Sequence, residues 1–161
     1  MKLFPSKKYS VTLQSESLPA LEKLKRNTKL SDSLISSYTN KIFIGIVNKT
    51  NFKIITSSIG FGAFCVFVGK FKNHNGTIEI RIHKVFKGML LIIMSYPFIG
   101  LGLQLYQNGL ENILEFILLM LFFLSIIRFG FIELFFWVIS NKGFKKLSKM
   151  IGIVEINNNI K

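Results

Sequence analysis

The chain has 161 residues, of which 50% are hydrophobic and only 18% charged, with 17 Phe. That mixture excludes a disordered chain, and a mean hydropathy of +0.44 argues against an ordinary soluble domain. Lys and Arg outnumber Asp and Glu by 21 to 8, for a net charge of +13, and a single Cys excludes both an intramolecular disulfide framework and a multi-cysteine zinc site.

Residues 1–8 are basic, but no apolar core of signal-peptide length follows them. The polar N-terminal part is therefore expected to stay on the side of the membrane where it is made. Lys2 stands where myristoylation needs Gly, and no prenylation Cys ends the chain. Residues 17–26 read SLPALEKLKR. Ser17 can cap a helix, Pro19 suits its first turn, and Leu18, Leu21 and Leu24 form an apolar stripe. A short amphipathic helix is predicted there, ending near Asn27, with a loop over residues 28–40.

From Lys41 the period changes to two. Strands are predicted at about 42–47, 52–58, 63–71 and 78–83. Asn48 to Asn51 make the first turn, Gly60 and Gly62 bracket the second reversal, and Asn73-His-Asn-Gly76 signals a hairpin, because Asn-Gly tolerates positive φ. Four strands with short links predict an antiparallel meander with one packed and one wet face. Ile78, Ile80 and Ile82 belong on the packed face, against the helix of Leu18, Leu21 and Leu24 or the neighbouring strands. Glu79, Arg81 and His83 belong on the wet one.

No charged residue occurs from Gly88 to Leu110, and a second apolar block runs from Ile113 to Ile139. Two spans are predicted, at about 89–106 and 113–128; eighteen residues of helix reach about 27 Å. Pro97 should kink the first, where Gly100 and Gly102 would admit a close neighbour. Arg128 at a bilayer centre would cost about 2.5–3.5 kcal/mol, so it is placed at the boundary, with Glu115 at the other interface. Gly130 can then bend the chain, and residues 131–140 lie at the interface with Trp137 as an anchor. The organisation read from the sequence is an α+β membrane protein: a soluble α+β domain over 1–87, a helical hairpin over 88–128, and an interfacial helix with a basic tail over 129–161.

Residues 1–88 hold 15 Lys and Arg against 4 Asp and Glu, the link at 107–112 has only Glu111, and Lys142, Lys145, Lys146, Lys149 and Lys161 follow the hairpin. Positive charge flanks the hairpin and avoids its tip, which predicts a multi-pass inner-membrane protein with both termini cytoplasmic.

The strand trio of Glu79, Arg81 and His83 is a candidate polar cluster, though a solvated strand face looks the same. His74 reads as a turn residue, and Cys65, among Phe64, Val66 and Phe67, as a buried hydrophobe. There is no P-loop, no metal-ligand motif and no nucleophile elbow, so no catalytic residue, cofactor or metal is expected. Arg128 and Glu133 are candidate interaction or anchor residues, since ionisable groups in apolar helices are functional candidates. Their i,i+5 spacing does not bring them together on an α-helix, and Glu133 is expected to face a Lys or Arg of the β domain. The basic residues flank the membrane segments, and attraction to anionic headgroups accounts for them more economically than nucleic acid. Expected partners are the lipid bilayer and a membrane-protein partner or a second copy.

A Ser-x-x-x-x-Leu helix followed by Thr, then Phe43-Ile-Gly45, Phe52-Lys-Ile54, Gly76-Thr-Ile-Glu-Ile80, a two-span hairpin and a C-terminal helix running through Phe129 or Phe131 to Glu133 resembles a group of small, uncharacterised bacterial two-span membrane proteins with an N-terminal cytoplasmic β-meander domain. Ser57 to Phe64 stands where that group has Arg-Asn-Ser-Phe-x-Pro, and lacks the Arg and the Pro. The resemblance implies architecture and bacterial origin, without an activity, and a structural role for Glu133. The expected function is a non-enzymatic, membrane-anchored binding or accessory module. The alternatives are an immunity-type or regulatory subunit acting through its hairpin, and an enzyme with a site near Glu79, Arg81 and His83.

Overall fold

The computed structural model describes residues 3–58 and 60–158; Lys161, counted above in the basic C-terminal flank, lies outside the described residues. The chain divides into two units, one of Met1–Phe4 with Lys84–Phe135 and one of Pro5–His83 with Phe136–Lys161.

The second unit is built on a mixed sheet of β1 (Ser6–Leu13), β2 (Thr28–Leu30), β3 (Phe43–Val47), β4 (Asn51–Thr56), β5 (Cys65–Lys72), β6 (Asn75–Ile82) and β7 (Ile153–Asn158), in the order β2-β3-β4-β5-β6-β1-β7. Only β2 and β3 pair in parallel. The fold is thus α+β, and the expected four-stranded meander is corrected to seven strands. Two of the additions have a clear reason for escaping the sequence pattern. In β1 the alternation Lys7, Tyr9, Val11, Leu13 is masked by a Lys on its inward face as well as its outward one. β7 is short and follows a long basic helix, so it reads as tail.

Strand register puts Lys7, Tyr9, Val11 and Leu13 on one face with Ile78, Ile80 and Ile82, with Cys65, Phe67 and Phe71, and with Phe52 and Ile54. Apart from Lys7 and Tyr9, all of these are buried. One cover for this face is α1 (Ser17–Arg26), whose Leu21 lines a shared groove with Val47 of β3. Its buried stripe is Ser17, Ala20, Leu21 and Leu24, the i, i+3, i+4, i+7 set that a 3.6-residue repeat selects. Leu18 is 49% exposed instead of buried, because a strict three-residue spacing drifts off one helix face.

A second cover is α4 (Leu134–Ile151), which buries Phe136, Ser140, Gly143, Leu147 and Ile151. Gly143 lies so close to Phe67 that a Cβ there would overlap the ring, and Phe144 stacks on Tyr9 with centroids 4.6 Å apart. The residues expected as a basic tail thus contribute a helix and an edge strand to the sheet.

The hairpin between β5 and β6 turns on Asn73 and His74, with Asn73 at φ 56°. Asn75 and Gly76 already belong to β6, where Gly76 is needed because any Cβ would strike the Phe71 ring. The Asn-Gly signal identifies the right turn but places it two residues late.

The first unit holds α2 (Lys84–Asn108), α3 (Ile113–Ser125) and a π-helical segment, Ile126–Glu133, which continues into α4. Two helices are long and apolar enough to cross a membrane: α2 with 25 residues, and the unbroken run Ile113–Ile151 with 39. The first reaches about 37 Å at 1.5 Å per residue. Gly109 and Asn112, both at positive φ, reverse the chain between them. Gly100 faces Phe116 across the hairpin, where an added Cβ would sit 3.2 Å from the ring. The helix runs unbroken through Gly130.

Candidate functional site

Arg128 and Glu133 meet. Arg128 donates from Nη1 to Oε2 of Glu133 at 2.7 Å. This corrects the expectation that i,i+5 residues stay apart, and gives Glu133 a partner on its own helical run. On an α-helix positions five apart are turned by about 140°. The segment is wound as a π-helix, and wider i→i+5 winding returns residue i+5 over residue i. The Arg128 guanidinium also lies 5.3 Å from the Phe129 ring centroid. Its side chain is 13% exposed and that of Glu133 54%, so the Arg end is the one sheltered.

A charge swap tests this winding. Arg128→Glu alone sets two carboxylates together and should lower recovery of the chain in membranes, whereas Arg128→Lys should be tolerated because Lys also snorkels. Arg128→Glu with Glu133→Arg should restore most of the loss, because the π turn keeps the two positions adjacent. No recovery in the double variant would mean the pair is not formed.

Opposite Ile78 and Ile80, Glu79 and Arg81 lie by register on a face of the sheet that is polar at one end and carries the buried Val66, Ile55 and Ile44 at the other. Oε1 of Glu79 lies 3.7 Å from Nη1 of Arg81, with both side chains about half exposed. His83 sits just beyond β6, where its backbone N–H donates to the Phe64 carbonyl at 2.9 Å. Partial burial, helped by the charge of Lys53, holds its imidazole below the ordinary range and so neutral at pH 7.

The trio belongs to a larger arrangement that single strands do not reveal. In register, Glu79 lies between Lys8 of β1 and Val68 of β5, and Val68 pairs with Lys53 of β4. One row further, Asn51, Lys70, Thr77, Ser10 and Asn157 run side by side, and beyond them Lys72, Asn75, Thr12 and Glu155. Lys8, Lys53, Lys70 and Lys72 are exposed. A shallow groove of about 510 Å³ follows Ser10, Thr12, Lys70, Lys72 and Asn157. These lysines went unmarked by sequence reasoning, and the signal available was the period-two spacing of Lys70 and Lys72.

On the covered face Lys7 reaches Oδ1 of Asn141 at 3.0 Å and Oγ of Ser140 at 3.3 Å, with its ammonium 5.8 Å from the Phe136 centroid. Nearby, burial pushes the Cys65 thiol up to about 12, against a smaller opposing pull from Lys7. The thiol stays protonated and fully enclosed, in keeping with a packing role. Among the described residues no three His, Cys, Asp or Glu lie together in a way that could hold a metal ion.

In the hairpin, Tyr96, Pro97, Phe116, Leu119, Met120, Phe122, Phe123 and Ile126 line an apolar groove of about 470 Å³. At the hairpin's turn, Asn108 donates to the Gln104 side chain at 2.9 Å, and Gln104 to the Glu111 carbonyl at 3.3 Å. No family model matches the chain, and no curated protein or solved structure matches it significantly.

Proposed function

We propose that the chain is a bacterial inner-membrane protein whose two apolar helices anchor a non-enzymatic binding module, with both termini cytoplasmic. The observation that carries this reading is the insertion of a hairpin of spanning length between β6 and the helix that completes the same sheet unit. The distribution of Lys and Arg supports the orientation: the turn between the helices has none, while both flanks are rich in them. The resemblance to small bacterial two-span proteins supports the same architecture. The sheet presents polar hydrogen-bonding groups and cations, the chemistry of reversible association.

Reporters fused at either terminus should read cytoplasmic, and one inserted at Asn108 external. Cleavage of the N-terminal region by protease added to intact cells would contradict this. Co-purification after gentle detergent extraction would then identify a partner.

The apolar groove on the hairpin supports a second reading, a regulatory or immunity-type subunit that occupies another membrane protein. Leu119→Trp, which fills the groove, should then abolish co-purification of that partner, while substitutions on the sheet leave it intact.

A further inference from the structure

We propose that the polar face of the sheet binds the anionic headgroup layer of a bilayer through Lys8, Lys53, Lys70 and Lys72. These four exposed cations and Arg81 share the face with two carboxylates. One of the two, Glu79, lies 3.7 Å from Arg81. With Lys29 of β2, which register places on the same side, six positive charges against two negative leave the face at +4. Ser10, Thr12, Thr77 and Asn75 interleave the lysines and supply hydrogen bonds to phosphate oxygens.

The residue types select a headgroup surface over nucleic acid. Single-strand recognition uses aromatic rings as stacking platforms. Here the strand aromatics Phe43, Phe52, Phe67 and Phe71 are buried, and register places them on the opposite face. Lys is a flexible point charge without the planar fork that reads bases, and suits a diffuse anionic layer. The tether acts in the same direction. Only His83 separates β6 from α2, so an embedded α2 keeps the sheet in the neighbourhood of headgroups at high effective concentration. The inference rests on the membrane reading above.

The test uses the full chain in nanodiscs of phosphatidylcholine alone, and of phosphatidylcholine mixed with phosphatidylglycerol. An amine-acylating reagent reports the exposure of each Lys by mass spectrometry. Lys23 and Lys25 are the internal reference, being exposed on α1, which packs on the other face. Relative to these, the four face lysines should be acylated about fivefold more slowly in the anionic discs, a difference that molar salt abolishes. Lys53→Gln, Lys70→Gln and Lys72→Gln combined should remove the difference at Lys8 while leaving incorporation into discs unchanged. Equal ratios in the two disc types overturn the proposal. So does slowing by an added single-stranded oligonucleotide in phosphatidylcholine discs with none from phosphatidylglycerol, which would favour nucleic acid. Failure of the chain to enter discs at all would overturn the membrane reading, and this proposal with it.

Discussion

Ile80→Ala should destabilise the sheet unit by about 2–5 kcal/mol, against well under 1 kcal/mol for Arg81→Ala. Ile80 is fully buried and lies in register between Phe67 and Lys7, which both touch α4. Truncation removes apolar contact and leaves a hole that the surrounding strands cannot collapse to fill. Arg81 is about half exposed and its ion pair with Glu79 is loose, so solvent replaces most of what it loses. Limited proteolysis of the two variants in membranes reads the difference. If Arg81→Ala were the more labile, the sheet would face the other way, since a one-residue slip exchanges the two faces.

Gly143→Leu should cost about 3 kcal/mol or more, the upper end for overpacking. A Cβ at this position already overlaps the Phe67 ring, so a branched side chain must lift α4 off the sheet. The damage extends beyond one contact, because Phe136, Ser140, Leu147 and Ile151 are buried on the same stripe. Shrinking the ring should relieve it. Gly143→Ala with Phe67→Leu should be less destabilising than the sum of the two single changes, by about 1 kcal/mol or more. Thermal unfolding of the four proteins in detergent supplies the cycle, and strict additivity would show that the two residues do not touch.

The sequence announces those parts of the fold whose apolar residues recur with a clean period. Ile78, Ile80 and Ile82 alternate with polar neighbours, and the strand is where they place it. The helix at Ser17–Arg26 and the apolar character of α2 and α3 are equally plain. What hides is chemistry that depends on a partner strand. Lys7 points inward, because Asn141 and Ser140 supply oxygens from a helix more than 130 residues later. No local rule places a Lys on the packed face of a strand. The docking stripe of α4 hides for a related reason: two of its five members are Ser140 and Gly143, whose value is smallness, which hydropathy does not register. The Arg128–Glu133 pair was visible as two charges in an apolar run. Its geometry was not, because α-helical spacing is the default assumption and a π segment breaks it. Lys8, Lys53, Lys70 and Lys72 belong to three separate strands, β1, β4 and β5, and only strand register assembles them.

The insertion of the hairpin inside a single sheet unit has a bearing on biosynthesis. Translation delivers residues 5–83 first, with Phe67, Ile78 and Ile80 ready to fold but a helix that covers their face still unmade. Between them and the rest of that unit come 52 residues, Lys84 to Phe135, that belong to the other unit. An apolar surface of this kind is prone to aggregation while it waits. The order of synthesis thus makes completion of the sheet contingent on release of the hairpin from the ribosome, and a nascent chain that stalls there remains an unfinished domain with a bare hydrophobic flank. Such a chain is a ready substrate for chaperones and proteases, so quality control on the sheet unit doubles as quality control on the two apolar helices.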